Sequence, residues 1–180
     1  GPTGDLQAPG VDDALTADGG LGLLAELIVP STIAGLDVLP PGSLDATSSW
    51  LASQRAGETL MRKRIVEPLV ATGAYDWVII DTPPGLGELT AGCLVAGTSV
   101  ISPLRLSDPN ALAGVTDVVD ALADLADLSP GRLAGIVVTD APTRPSATQR
   151  EVLAVADALR WKVLGTWRKS EQVPRAAGAR

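Results

Sequence analysis

The sequence predicts an α/β fold in which helices flank both faces of a mostly parallel sheet. Predicted strands alternate with predicted helices from Leu36 onward, which is the pattern of layered α/β proteins. The run Trp77-Val78-Ile79-Ile80 is continuously apolar, as is typical of a central parallel strand covered on both faces. The chain has 180 residues, of which 46% are hydrophobic, so we expect residues 1–180 to form a single domain.

The individual elements follow from apolar spacing and from Gly and Pro punctuation. Residues 1–20 are predicted as loop with at most a short helical turn, because Gly, Asp and Pro dominate them. Pro40-Pro41-Gly42 ends the first strand, and Gly73 ends an amphipathic helix. Strands are predicted at residues 36–39, 77–80, 99–103, 133–139 and 162–167, and helices at 21–27, 43–55, 59–71, 88–95, 110–125 and 147–159.

Composition excludes several kinds of chemistry. The chain has no His, which excludes Ser-His-Asp and Cys-His catalysis and His-ligated metal sites. Cys93 is the single Cys, so we expect a buried small hydrophobe rather than a disulfide or a zinc ligand. No apolar run approaches the roughly 20 residues of a membrane span, and we expect no membrane association.

Charge is unevenly distributed along the chain. The net charge of −7 opposes non-specific DNA binding by the surface as a whole. Residues 160–180 nevertheless carry mostly basic charges, and residues 108–127 carry only acidic ones. This asymmetry is compatible with a basic patch on one face, although composition alone favours ordinary solvated surfaces.

The residues that follow the apolar run 77–80 are the strongest candidates for a functional site. Ligands bind beyond the carboxyl ends of strands in open α/β sheets, and Asp81 occupies such a position. Its carboxylate could hold Mg²⁺ directly or through water, as the Walker B Asp of P-loop NTPases does. From the local pattern alone, Asp81 could equally cap a turn.

The longer stretch around Asp81 resembles the ParA/MinD family, whose members are P-loop NTPases with a deviant Walker A motif. Residues 75–90 resemble its Walker B segment, and residues 93–104 resemble the helix end and strand that follow. The resemblance extends through Ala111-Leu112-Ala113-Gly114, the predicted strand at 133–139, and residues 163–178. It implies a P-loop NTPase-like fold of the ParA or SIMIBI type.

The resemblance also implies a function, namely DNA segregation in plasmid or chromosome partition. In the complete protein we expect ATP and Mg²⁺ as cofactors, an ATP-dependent homodimer, non-specific DNA binding and a centromere-bound ParB-like partner. The resemblance further implies a cytoplasmic location in association with the nucleoid. The residues implied are Asp81 for the metal; Asp81, Thr82, Pro83, Thr139, Asp140 and Arg168 for the nucleotide; and Arg144, Arg168, Lys169 and Arg175 for DNA.

The family's phosphate-binding loop is absent from these residues. No Gly-Lys-Ser or Gly-Lys-Thr occurs, and Gly1 stands where the second family motif has an Asp before Pro2-Thr3-Gly4-Asp5. We therefore expect a domain cut at its amino terminus and also at its carboxyl terminus. The alternative is a non-hydrolysing homologue that acts as a protein- or DNA-binding module. Under either hypothesis the chain alone should be an inactive ATPase without catalytic residues of its own.

A MinD-like positioning protein is a third hypothesis. Such proteins carry a carboxyl-terminal amphipathic helix that binds membranes. Residues 170–180 contain too few large apolar side chains for that role, so the hypothesis ranks below the other two.

Overall fold

A computed structural model of the chain describes residues 9–17 and 19–168, and its contacts divide the chain into two compact units. The first unit comprises Gly1–Thr98 and Leu125–Pro130, and the second comprises Ser99–Asp124 and Gly131–Arg180. That residues 1–180 act as a single domain stays a prediction.

The first unit is mainly helical. Its strands, β1 (Val29–Pro30) and β2 (Asp37–Val38), form an antiparallel pair in which Val29 faces Val38. The predicted helices at residues 21–27, 43–55 and 88–95 are present with small shifts at their ends. The helical segments are α1 Val11–Thr16, α2 Gly20–Leu27, α3 Leu44–Ser53, a 3₁₀ turn Gly57–Thr59, a π-helical turn Arg62–Val66, α4 Glu67–Ala71 and α5 Glu88–Ala96.

Polar contacts fix the ends of these helices around an aliphatic core. The Asp12 carboxylate on α1 accepts a hydrogen bond from the Ser43 amide at 3.0 Å, just before α3 begins. In the π-helical turn, the Arg64 guanidinium donates to the Leu15 carbonyl and lies 5.6 Å from the centroid of the Trp50 ring. The buried core between the helices is Leu15, Leu24, Leu27, Leu51, Met61, Ile65, Leu69, Leu89 and Cys93 with Ala14 and Ala96.

The described part of the second unit is a three-stranded parallel sheet with two connecting helices, and its strands lie in the order β3-β4-β5. The elements are β3 Ser99–Arg105, α6 Ala111–Asp124, β4 Arg132–Ala141, α7 Ala147–Ala158 and β5 Val163–Arg168. The alternation of strand and helix that the sequence predicts is confirmed here, as is the α/β class.

Strand register determines which side chains of the sheet are buried. Leu104 on β3 lies opposite Val138 on β4, and both are fully buried. They form one cluster with Val115 of α6 and Ala156 of α7, so both helices contribute to the core on this face. On the opposite face, Ile101 is 57% exposed.

The prediction that residues 77–80 form a paired parallel strand is wrong for the part of the chain that the structure describes. The segment belongs to the first unit, and none of its residues is paired in a sheet. Burial alternates along it: Trp77 and Ile79 are 84% and 85% exposed, while Val78 and Ile80 pack against the core. That period of two is the period of an extended chain. The apolar run therefore predicted an extended segment correctly, but pairing depends on a partner strand.

The predicted strand at 36–39 is also different from expectation. It is shortened to β2, and it pairs in a hairpin with β1 rather than joining a parallel sheet. The hairpin contact is local, between segments that the sequence pattern did not link.

Candidate functional site

Asp81 lies at the rim of an apolar cavity in the first unit. The cavity has a volume of about 510 Å³, and Asp81 and Pro83 line it together with Val78 and Ile80. Asp81 and Thr82 are exposed, whereas Pro83 is half-buried. The carboxylate therefore reaches solvent beside a cavity instead of pointing into packed core, as a metal-binding role requires.

Two carboxylates line this cavity, those of Asp81 and Asp37, and the Asp37 carboxylate accepts a hydrogen bond from the Tyr75 hydroxyl. Among residues 9–17 and 19–168, no group of three or more His, Cys, Asp or Glu side chains could hold a metal ion together. Mg²⁺ is commonly bound in proteins by one or two carboxylates, with water and substrate phosphates completing the octahedron. Asp81 fits that limited role, and the described part of the chain offers no cage made of protein ligands alone.

The residues predicted to contact the base and the ribose lie at the carboxyl edge of the three-stranded sheet in the second unit. Thr139 and Asp140 lie near the end of β4, and Arg168 ends β5, where it pairs with Ala141. This edge is where α/β sheets bind ligands. The structure thus places these three residues at one edge of the second unit, and their role in nucleotide binding stays a prediction.

A β-bulge shapes this edge. Val138 pairs with Thr166 and Ala141 with Arg168, so β4 has one residue more than β5 over this interval. Asp140 lies in the bulge with a φ of 55°, a left-handed conformation that is uncommon for residues other than Gly. Left-handed backbone of this kind occurs often at ligand sites, because it redirects a side chain.

Hydrogen bonds attach the neighbouring segments to this edge. The Thr139 carbonyl accepts from the Leu106 amide at 3.1 Å. The Leu106 carbonyl in turn accepts from Gln149 Nε2 of α7 at 3.2 Å. Ser146 caps α7 reciprocally with Gln149: its hydroxyl accepts from the Gln149 amide, and its own amide donates to Gln149 Oε1. The end of β4 is therefore held by hydrogen bonds that do not involve the Asp140 carboxylate.

The structure describes two of the four residues that the sequence predicts to contact DNA. Arg144 is exposed on the loop between β4 and α7. Arg168 is exposed at the end of β5. Lys169 and Arg175 lie outside the described residues.

Sequence reasoning missed Arg105. β3 continues two residues beyond the predicted end at Pro103, and exposed Arg105 lies opposite Thr139 at the same carboxyl edge. Pro103 suggested a strand end, although a Pro is compatible with an edge strand when its missing N–H faces away from the ladder. Within the described second unit, β3 is such an edge.

Two ionisable side chains of the first unit have raised pKa values. Burial raises the pKa of the Cys93 thiol to about 11, because the thiolate would lose hydration. A hydrogen bond from the Tyr75 hydroxyl to Asp37 Oδ2, at 3.0 Å, raises the pKa of Tyr75. Cys93 is thus an inert core residue, whereas Tyr75 joins the start of the extended segment to β2.

No helix among the described residues combines the length and the apolar character that crossing a membrane would need.

Comparison with known proteins gives one family match and several relatives. The model of a family described as AAA domain matches residues 20–132. The chromosome partitioning protein ParA of Myxococcus xanthus is 32% identical over 133 residues, which are 72% of this chain and 45% of that protein. The chain spans about half the length of the curated relatives it matches.

Solved structures have a similar fold. Cobyrinic acid a,c-diamide synthase from Mycobacterium smegmatis, with bound ATP analogue and magnesium, matches with 26% identity and a TM-score of 0.66, covering 88% of this chain and 62% of that one. A plasmid partition protein from Borrelia burgdorferi matches with 18% identity and a TM-score of 0.57, covering 83% and 60%. The second likeness is one of fold alone.

Proposed function

The chain belongs to the AAA domain family and is similar to ParA-type partition ATPases, and from that premise we propose that it is part of an ATPase that segregates DNA. In that ATPase it would supply the residues that hold Mg²⁺ and the residues that face the base of the nucleotide. The whole protein would bind ATP and Mg²⁺ and act in plasmid or chromosome partition. The observation that carries the proposal is the exposed Asp81 carboxylate at a cavity rim, directly after an apolar extended segment.

In this proposal Asp81 holds Mg²⁺ directly or through a water molecule. A hard cation prefers oxygen ligands, and the exposed carboxylate has room for the ion's remaining waters and for phosphate oxygens. Bound Mg²⁺ would neutralise charge on the nucleotide phosphates. Thr82 and Pro83 would form the adjoining wall of the nucleotide site.

Thr139, Asp140 and Arg168 would face the base and the ribose. Support comes from their common position at the carboxyl edge of a parallel sheet and from the left-handed backbone at Asp140. Asp140 would accept hydrogen bonds from the nucleotide, and Arg168 would stack on it or donate to it. Arg105 adds a second guanidinium at this edge.

The complete protein would bind DNA non-specifically as an ATP-dependent homodimer and release it when a ParB-like partner stimulates hydrolysis. Arg144, Arg168, Lys169 and Arg175 would provide the phosphate contacts. Because such contacts release counterions, DNA affinity should fall steeply with salt concentration. In gel shifts of the ATP-bound complete protein, charge reversal of Arg168, Lys169 and Arg175 to Glu should abolish the shift; an unchanged shift would contradict this DNA face.

The test of the metal role compares two carboxylates at opposite ends of the same segment. In a polypeptide that contains this chain and a Gly-Lys-Ser/Thr loop, Asp81→Asn should reduce Mg²⁺-dependent nucleotide affinity or turnover by at least about 10- to 100-fold. The matched control Asp76→Asn, also at an exposed carboxylate, should have no effect. Equal effects of the two substitutions would remove the basis for the proposal.

The chain of 180 residues by itself contains no Gly-Lys-Ser/Thr loop, and we expect no ATP turnover from it. The assay measures phosphate release with Mg²⁺ for the purified chain and for its Asp81→Ala variant. Turnover above that of the variant would contradict the expectation.

A further inference from the structure

A second groove of the first unit lies between α2, the β1–β2 hairpin and the end of α4. Its volume is about 480 Å³, which is within the usual range of small-molecule sites. Leu21, Ala25 and Ile28 line it from α2 and the residue that caps α2, and Leu69 lines it from α4. Asp81 is not among the described residues that line this groove. The groove therefore offers an apolar surface to a ligand at a place that the proposed metal site does not use.

Among the described residues that line the groove, the one charged side chain is Asp37 of β2. Its Oδ2 atom accepts a hydrogen bond from the Tyr75 hydroxyl at 3.0 Å, which restrains the carboxylate. No described residue donates a hydrogen bond to Oδ1, and no described Lys or Arg forms an ion pair with this carboxylate. Asp37 is exposed, so a ligand can reach it from solvent. One oxygen of a restrained carboxylate is thus available beside an apolar wall.

The charge of the first unit favours a cationic ligand. The unit carries 13 acidic side chains and four basic ones, a formal charge of −9, compared with −7 for the whole chain. The four basic side chains all lie within residues 55–64, and residues 1–54 contain none. Of the four, Arg62 is in an ion pair and Arg64 donates to a backbone carbonyl. The groove therefore lies in a field that attracts cations and repels anions.

Hydrogen-bonding capacity selects among the possible cations. A metal ion needs several oxygen ligands, and residues 9–17 and 19–168 contain no group of three or more acidic, His or Cys side chains that could hold one. A guanidinium binds best through both carboxylate oxygens, of which one already accepts from Tyr75. The ammonium of a primary amine is a compact donor that needs a single oxygen. An alkyl chain attached to it can leave water for the apolar wall of the groove.

We propose that this groove binds a small aliphatic primary amine as its ammonium ion. The nitrogen would donate to the Asp37 carboxylate, and the alkyl chain would lie along Leu21, Ala25 and Ile28. Tyr75 would act as a positioning residue, because its hydrogen bond to Oδ2 leaves Oδ1 for the ammonium. The inference does not rest on the proposed ATPase function, since it uses neither a nucleotide nor Asp81.

The test titrates the purified 180-residue chain with octylammonium and hexylammonium chloride at pH 7, where alkyl amines, like Lys, are protonated. Two-dimensional amide NMR spectra give both the affinity and the location of binding. Each buried methylene strengthens binding by up to about 4-fold, so octylammonium should bind about 10-fold more tightly than hexylammonium. The perturbed amides should include those of Ala25, Ala74 and Tyr75. Octanoate and octanol, which have the same number of carbon atoms, should bind about 3- to 10-fold more weakly than octylammonium.

Three substitutions locate the site. Asp37→Asn keeps an acceptor for Tyr75 but removes the charge, and it should weaken octylammonium binding by about 3- to 10-fold. Ala25→Leu fills part of the groove from an exposed helix position and should weaken binding by about 10-fold. The matched control Glu26→Gln removes a neighbouring exposed carboxylate that does not line the groove, and it should leave binding unchanged. Urea unfolding of each variant verifies that it is folded.

Other outcomes would overturn the proposal. Equal affinities for octylammonium and octanol would show that the charge is not recognised. Equal losses in Asp37→Asn and Glu26→Gln would mean that the amine is attracted to the acidic surface in general. Unchanged binding to Ala25→Leu, with shifts confined to the Val78 and Leu89 amides, would place the ligand in the larger cavity. If Nα-acetyl-lysine methylamide bound as tightly as octylammonium, the groove would belong to a lysine side chain of a polypeptide instead of a small amine.

Discussion

Adding one methyl group to Gly135 of β4 should weaken the second unit. Gly135 is buried, with a φ of 158°, at a register shift between β3 and β4. A Cβ atom placed there would collide with the Lys162 carbonyl oxygen and would lie 2.8 Å from Leu164 Cγ on β5. The Lys162 oxygen cannot move freely, because it accepts a hydrogen bond from the Ile136 amide at 2.8 Å.

The magnitude follows from these two contacts. Overpacking of a fitted site costs about 1–3 kcal/mol, and loss of a backbone hydrogen bond costs about 0.5–1.5 kcal/mol more. Gly135→Ala should therefore lower the free energy of unfolding by about 2–4 kcal/mol. With an m-value of about 2 kcal/mol per molar urea, the midpoint falls by about 1–2 M.

The neighbouring strand offers the control. Gly165 of β5 has open space where a Cβ atom would be placed, so Gly165→Ala should change stability by less than about 0.5 kcal/mol or increase it slightly. Urea unfolding can be followed by tryptophan fluorescence, because Trp161 packs against the core of this unit. A loss below about 0.5 kcal/mol for Gly135→Ala, or the same loss for both variants, would refute the steric reasoning.

Three further predictions concern single contacts. Ser146→Ala should lower the free energy of unfolding by about 1 kcal/mol in urea titrations, because it removes the cap of α7. Ser146→Asp should retain most of the stability, since Asp can also cap a helix. An unchanged free energy of unfolding in the Ala variant would mean that the cap is not formed. Tyr75 is the only tyrosine, so an ultraviolet titration measures its pKa directly. The pKa should be raised in the native chain and lower in the Asp37→Ala variant, because the substitution removes the hydrogen bond. Identical titration curves for the two chains would exclude the hydrogen bond. Cys93 ionises near its usual pKa of 9.0 when unfolded but only near about 11 when folded, so stability present below pH 9 should decline as the pH rises towards 11. Cys93→Ala should remove that part of the decline in urea midpoints measured across this range, and an unchanged pH dependence would contradict the burial of the thiol.

The helices of the chain could be predicted from sequence because their signals are local. Ser146 with Gln149 three residues later is a capping signature, and α7 begins where it predicts. α6 and α5 likewise follow apolar spacing to within about two residues. The parallel order of β3, β4 and β5 follows from the alternation with α6 and α7.

Pairing and backbone detail could not be predicted in the same way. Residues 77–80 carry the composition of a central strand, yet whether a strand is paired depends on another segment, which their own sequence does not specify. The left-handed Asp140 depends on the register mismatch between β4 and β5, which no local pattern encodes. Of the candidate site, the sequence pattern indicates Asp81 and the end of β4, and their roles stay predictions. It does not indicate Arg105, because a Pro at position 103 predicts a strand end two residues too early.

The first unit is discontinuous along the chain, and this has a consequence for dissecting the protein. Residues Leu125–Pro130 return to it after α6, and there the Ser129 hydroxyl donates to the Leu94 carbonyl at 3.1 Å. Arg62 also donates to the Leu128 carbonyl at 3.5 Å. A truncation after Thr98 would thus remove the segment Leu125–Pro130, which contacts α5. No single cut of the chain therefore releases an intact first unit. Separating the two halves would instead require a circular permutation or a short bridge from Thr98 to Leu125 that bypasses β3 and α6.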